Sequence, residues 1–491
     1  MDVSRDIQQV KELVEKYQSH GPRYTSYPTA ADFSSDFSEA DYRRYLQKEN
    51  ENSSQPWSIY VHVPFCWRRC HFCACSVVAT SKYEKVVEPY LKHLEQEMAM
   101  VSACLPDRKS IMQIHFGGGT PSYLTPGDLA RVYKMIEENF WVEATANVSI
   151  ELDPRVTCRE HIEVAAANRC RRVSIGVQDF DRDVQRAIGR EQTYEETRDI
   201  VRYAREYGVK SINVDLVYGL PSQSVASLLE TTDRVHDLGI DRVALFGYAH
   251  LPIIRGNQRR IASSQLPQSQ LRLEMFMAAR AKLQELGYMP IGLDHFASRT
   301  DGLYLAKQQG TLSRNFMGYI EGSGTESLGF GVTAIGEADG CFVQNTDKLS
   351  QYYEEIGQGK LPVAKGLECT FDDLIRGRLI HDLMCFGRIE RARVCERENI
   401  GSFQQYFGEA LKRLSPMIHD GLVFDDGEVI RLSEMGQLFV RNVAMCFDVR
   451  SFSSRQPVSA LKCDTLSLSE MSSVELGNDT PRRRRLFSRT V

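Results

Sequence analysis

The chain has 491 residues, 42% of them apolar and 25% charged, with a formal net charge of −5. This length admits one large domain with smaller ones, and the absence of a basic excess argues against a nucleic-acid partner. No apolar run reaches the roughly 18 residues of a membrane-spanning helix, so no membrane partner is expected.

In chain order, the polar start Met1–Gln8 has no signal-peptide pattern. Residues 1–57 read as an N-terminal arm, with an amphipathic helix at Ile7–Tyr17, an extended loop at Gly21–Thr29 and a helix over 38–48. Residues 58–365 read as the catalytic domain. Six β-rich runs recur there: Ser58–Val63, Gln113–Phe116, Asn147–Leu152, Arg172–Val177, Lys210–Val217 and Arg242–Tyr248. Amphipathic stretches lie between them at Pro89–Val101, Pro126–Asn139, Thr193–Tyr207 and Val225–Leu238, and Leu271–Leu286 follows. Strand–helix alternation argues for a parallel sheet, here an α/β fold with an incomplete (β/α)6 TIM-like barrel whose chemistry sits after the strands. Residues 366–450 read as a mostly helical, winged-helix-like domain, with a helix at Asp372–Met384, a hairpin at Gly421–Leu432 and a helix at Ser433–Cys446. Residues 451–491 change character. Ser451–Thr480 is Ser-rich and reads as a flexible insertion, and Arg482–Arg485 is a basic run.

The chemistry starts at Cys66, Cys70 and Cys73, spaced Cys-x3-Cys-x2-Cys just after the first strand. Three thiolates bind three irons of a [4Fe–4S] cubane and leave the fourth open to a ligand. Two other readings compete: a zinc site completed by His71 or Cys75, and unrelated core cysteines. The thirteen cysteines are odd in number and irregular in spacing. That is no disulfide framework, and it fits a reducing cytoplasm. Gly117-Gly118-Gly119-Thr120 follows the second strand, where bare backbone can approach a ligand closely. Glu151 ends the third strand, and Gln178, Arg190 and Asp215 lie at later strand ends or loops. Tyr60 and His62, just before the cysteines, are the candidate catalytic side chains.

The cysteine spacing resembles the radical S-adenosylmethionine superfamily. Within it, Tyr60–Cys75, Gly21–Thr29, His115–Pro121, Ser149–Pro154, Gly189–Gln192, Tyr248–Pro252 and Leu293–Ala297 resemble the oxygen-independent coproporphyrinogen III oxidase family. The resemblance covers nearly the whole chain except Ser451–Thr480. It implies a [4Fe–4S] cluster on Cys66, Cys70 and Cys73, with Cys75 not a ligand. It implies two S-adenosylmethionine molecules. Tyr60, Gly118, Glu151 and Ile335 map to the first, and Gly119, Thr120, Gln178, Arg190, Asp215 and Ala249 to the second. The implied reaction converts two propionates of coproporphyrinogen III to vinyl groups. A reduced flavodoxin- or ferredoxin-type donor, a monomeric state and a cytoplasmic location go with it. A substrate with four carboxylates makes Arg23 and Arg314 its candidate partners. A haem-chaperone relative, or a paralogue acting on another tetrapyrrole, is the alternative, but chaperone relatives lack the Gly21–Pro28 arm and carry Cys-Asp-Phe at Cys73-Ala74-Cys75. Two departures from the family pattern are Gly318–Ser323, which bears on substrate identity, and Cys385-Phe386-Gly387.

Overall fold

The computed structural model describes residues 3–19, 21–52, 55–322, 326–338 and 340–453. The flexibility expected of Ser451–Thr480 and the basic run Arg482–Arg485 therefore concern residues lying, beyond 453, outside the described ones.

The molecule is organised by a mixed sheet of twelve strands. Its first six in sequence are β1 (Trp57–Val63), β2 (Ser110–Gly118), β3 (Trp141–Leu152), β4 (Cys170–Gln178), β5 (Ser211–Tyr218) and β6 (Arg242–Gly247). They lie side by side in that order and all parallel. Two short strands, β7 (Met289–Pro290) and β8 (His295–Ala297), turn back antiparallel beyond β6. On the other side β9 (Ser327–Phe330) joins β1 in parallel. It is followed by antiparallel β10 (Ile335–Ala338), β11 (Cys341–Asn345) and β12 (Val363–Glu368). The sheet order is β12-β11-β10-β9-β1-β2-β3-β4-β5-β6-β8-β7, so the edge strands do not pair and the barrel stays open. The parallel strand β9 is the one the sequence reading lacked.

Alternation within the strands gives the sheet an apolar face and a more polar one. In β5, Ile212, Val214 and Leu216 are fully buried, while Asn213 and Asp215 occupy the opposite face. The apolar faces of β1–β6 form one continuous core with the surrounding helices. Those helices start where the sequence caps them. Thr125 accepts from the Asp128 amide with Pro126 in the first turn, and Thr193 forms a reciprocal capping box with Glu196. Because the six strands are parallel, their carboxyl ends reach one rim.

A second core lies between residues 375 and 447, and Leu13, Tyr24 and Tyr27 of the arm are built into it. Residues expected as one leading arm thus divide: Tyr42 and Leu46 pack on the main core instead. Arg441 donates to the carbonyls of Pro22, at 2.9 Å, and Gly21, tying the extended loop to the second core. This region has helices at Phe371–Phe386, Gly408–His419 and Val440–Phe447, with a small antiparallel sheet of Arg388–Glu390, Val423–Asp425 and Val429–Leu432. The single helix expected at Ser433–Cys446 is split, with a 3-10 turn at Gly436–Phe439 before Val440–Phe447. Gly436 packs so tightly on Leu422 that a Cβ would lie 1.8 Å from the Leu422 carbonyl oxygen, which fixes the turn there. No helix among the described residues is long and apolar enough to cross a membrane.

Candidate active site

The rim above β1 carries the cysteines. Cys70 is buried, and Cys66 and Cys73 are half-buried. Their loop is held from outside by one segment. Asn257 Nδ2 donates to the carbonyls of Cys70, His71 and Cys73 at 3.0, 3.1 and 2.9 Å, and Gln258 Nε2 donates to that of Phe72 at 2.7 Å. From inside, two guanidinium groups approach Cys70 Sγ, that of Arg155 at 3.6 Å and that of Arg190 at 3.7 Å. Both arginines are clamped by Asp153, at 2.6 Å from Arg155 and 3.1 Å from Arg190. Burial pushes the Asp153 carboxyl up, but Arg190 and Arg155 outweigh it and hold the pKa at about 2. Burial pushes the Cys66 thiol up to about 12, with Cys73 adding to it, whereas a hydrogen bond from Cys75 brings Cys73 down to about 6. Among the described residues no three His, Cys, Asp or Glu side chains gather around a single ion-sized point. The three thiols lie near enough for Cys73 and Cys70 to raise the Cys66 pKa, and with cationic donors on Cys70 they are a donor set of the kind an iron–sulfur cluster takes.

The glycine loop after β2 is stitched to the backbone that leads into Cys66. Gly119 N donates to Val63 O at 2.8 Å and Thr120 N to Phe65 O at 3.0 Å. A Cβ on Gly119 would lie 2.5 Å from the Phe65 carbonyl oxygen, and Gly118 has φ +118. These glycines thus permit close approach to the cysteine strand as well as to a ligand. Next to them, Tyr60 donates or accepts at His62 Nδ1 over 3.0 Å and stacks on His115. His62 Nε2 lies 3.2 Å from Ser76 O, and burial lowers its pKa so that the ring is neutral. Ile335 begins β10, and its carbonyl crowds Gly329, which pairs with Tyr60 in the neighbouring strand.

Across the opening, Glu151 accepts from His115 Nε2 at 3.3 Å and keeps its side chain 45% exposed. Asp215 lies deeper, receiving Asn213 Nδ2 at 2.8 Å and Ser174 Oγ at 3.4 Å. Gln178 sits at a bulge between β4 and β5 with φ +69, a left-handed conformation that turns the chain sharply at the strand end. Arg190 Nε is buried without a partner, a donor set for an incoming acceptor. The Ala249 carbonyl accepts from Gln258 Nε2 at 3.1 Å.

The expected residues thus converge on one mouth, apart from the two substrate arginines. Arg23 pairs with Asp294. Arg314 spends two donors on the Tyr24 and Arg23 carbonyls at 3.3 Å. Of the Gly318–Ser323 departure, residues 318–322 are described, and Ile320 lines a small cavity with His115 and Ser149. Glu321 pairs with Arg242, the first residue of β6, and its carbonyl accepts from Gln113 at 3.2 Å.

Comparison with known proteins places this geometry. The Radical SAM superfamily model matches residues 60–235. Oxygen-independent coproporphyrinogen III oxidase from Escherichia coli K12 is 41% identical over 436 residues, 89% of this chain and 94% of that protein. The Helicobacter pylori 26695 protein of that name is 37% identical over 439 residues, covering 89% and 96%. The chain belongs to the oxygen-independent coproporphyrinogen III oxidase family. The solved coproporphyrinogen III oxidase of E. coli, described as a radical SAM enzyme, superposes with a TM-score of 0.83 at 40% identity, covering 87% of this chain and 97% of that one. Members of this family are enzymes with a [4Fe–4S] cluster and S-adenosylmethionine. Sequence reasoning singled out neither Arg155 nor Asn257. Arg155 follows Asp153-Pro154 at a strand end and was legible as a pair with it. Asn257 sits in an aperiodic loop that gives no signal.

One expectation concerns pH. Burial, with the Glu151 charge, raises the Asp215 pKa to about 7, against the lowering effect of Asn213, Ser174 and Arg190. A carboxyl with a raised folded pKa stabilises fully below its unfolded value and loses that stabilisation as pH rises toward 7, by at most about 1.4 kcal/mol per unit. Glu97 and Glu337, also raised by burial to about 7, add to the same slope. Asp215→Asn therefore reduces, without abolishing, the fall in stability of the metal-free protein between pH 5 and 7.5. Denaturant titrations at both pH values measure it; an unchanged slope rejects this assignment.

Proposed function

We propose that this chain performs the family reaction itself, the anaerobic conversion of two propionates of coproporphyrinogen III to vinyl groups, giving protoporphyrinogen IX for haem synthesis. The observation that carries the reading is the convergence of Cys66, Cys70 and Cys73 with Gly118, Glu151, Arg190 and Asp215 on one mouth. Bound there, the cluster and S-adenosylmethionine supply one-electron chemistry able to remove hydrogen from an unactivated carbon.

The chain's own residues divide the remaining tasks. Cys66, Cys70 and Cys73 hold the cluster. Tyr60, Gly118, Glu151 and Ile335 hold a first S-adenosylmethionine. Gly119, Thr120, Gln178, Arg190, Asp215 and Ala249 hold a second, with the unpaired Arg190 Nε as an anchor for its carboxylate. Neutral His62 and protonated Tyr60, joined by their hydrogen bond, form a wall that keeps stray protons and water from the reacting carbon. The protein works as a cytoplasmic monomer, and a flavodoxin- or ferredoxin-type carrier supplies its electrons.

Arg23 takes a substrate carboxylate, and Arg314 positions it by holding the Arg23 carbonyl. Arg23 pairs with Asp294 but keeps its side chain 39% exposed over the Phe246 ring near the end of β6, which leaves a side open to a carboxylate. Arg23→Ala raises KM by about ten- to a hundredfold, the weight of one charged hydrogen bond, with kcat changed less. Steady-state assays on cluster-loaded variants decide, and an unchanged KM removes Arg23 from the substrate site.

The reading as a whole is tested by anaerobic incubation of the reconstituted protein with dithionite, S-adenosylmethionine and coproporphyrinogen III, counting cofactor consumed per vinyl formed. Cofactor cleavage without vinyl product refutes it.

A further inference from the structure

The cysteine loop is flanked by a surface the reaction does not use. Among the described residues, eight large apolar side chains are markedly exposed, and four of them lie on segments touching this loop. Trp67, 44% exposed, directly follows Cys66, and Val78 pairs with Phe65. Ile253 and Ile254 are 87% and 49% exposed. They project from the segment whose Asn257 and Gln258 hold all four carbonyls from Cys70 to Cys73. Two adjacent isoleucines left in water on a segment so firmly anchored mark an interaction site.

The charge carried by these two segments is one-sided. Residues 64–83 and 249–273 contain seven Lys or Arg and no Asp or Glu, in a chain whose net charge is −5. Arg259 and Arg260 are exposed beside the isoleucines, and Arg260 Nη1 reaches His71 Nε2 of the cysteine loop at 3.3 Å. A basic rim around an apolar centre fits an acidic protein. Its position beside the cluster ligands fits a partner that delivers electrons.

We infer that Ile253, Ile254, Arg259 and Arg260 form the docking face for an acidic one-electron carrier protein, which reduces the cluster across the Cys70–Cys73 loop. One electron passes from the reduced carrier to the oxidised cluster, and no proton or bond is exchanged. The inference rests on the proposed function, because it needs the cluster.

The test is stopped-flow reduction of the reconstituted cluster, once by reduced flavodoxin and once by dithionite. The latter is small and needs no docking face. Two separate variants are used, Ile253→Asp with Ile254→Asp, and Arg259→Glu with Arg260→Glu. Each is expected to slow reduction by flavodoxin at least tenfold and to leave reduction by dithionite unchanged. The wild-type rate with flavodoxin should also fall as salt rises. Unchanged flavodoxin rates in both variants overturn the inference. Equal slowing with both reductants does so too, because the loop then acts on the cluster and not on a partner. Self-association of the wild type that both variants abolish, with the flavodoxin rate intact, assigns the face to a second copy and overturns it as well. A wild-type chain that takes up no cluster refutes the proposed function instead.

Discussion

Single Ala substitutions at Cys66, Cys70 and Cys73 each abolish retention of a four-iron cluster and with it all turnover, while Cys75→Ala keeps the iron. A cubane already leaves one iron without a protein ligand, so losing one of three thiolates leaves two anchors for four irons. Cys75 is placed differently. It is exposed and donates its S–H toward Cys73, so its expected effect is on the Cys73 thiol and not on the iron. Its loss changes the visible spectrum more than the iron content. Iron and sulfide analysis after anaerobic reconstitution measures both. Iron loss in the Cys75 variant equal to that in the other three requires a different ligand set.

Asp153→Ala is the second large effect. Asp153 is buried between Arg155 and Arg190, and one guanidinium nitrogen of each arginine that binds it also reaches Cys70 Sγ. Removing the carboxylate leaves two buried cations facing each other with nothing between them. Breaking a buried pair in this way costs about 3–5 kcal/mol. The variant therefore melts earlier and loses both cluster and activity, although Asp153 is no ligand. Asp153→Asn keeps the shape but not the charge and falls between. Thermal denaturation of the metal-free proteins checks the stability term. A metal-free Asp153→Ala protein as stable as wild type shows that the clamp does not hold the rim together.

The sequence carried the six parallel strands because their apolar residues alternate or run together over lengths only a strand uses, as in Ile212-Asn213-Val214-Asp215-Leu216. The rim was equally legible. Parallel strands put Cys66, Gly118, Glu151, Gln178 and Asp215 at one end without further information. Strand β9 was missed because Ser327-Leu328-Gly329-Phe330 is too short to show a period and sits among glycines. The arm was read as separate because nothing local shows that Leu13, Tyr24 and Tyr27 pack against residues more than 300 positions away. Arg314 is the plainest limit. Its chemistry suits a carboxylate, but the fold spends two of its donors on backbone carbonyls. Only the folded chain tells an arginine left open to a ligand from one committed to backbone carbonyls.

The reaction proposed for the cysteine rim and its neighbours is the removal of two carboxyl groups from a tetrapyrrole without oxygen. The direct measurement is the mass of the tetrapyrrole after anaerobic incubation with the reconstituted, reduced protein and S-adenosylmethionine. The expected result is the stepwise loss of carbon dioxide and two hydrogens from each of two side chains, first one and then the other. Recovery of coproporphyrinogen III unchanged, from protein that holds its cluster and cleaves S-adenosylmethionine, would contradict it.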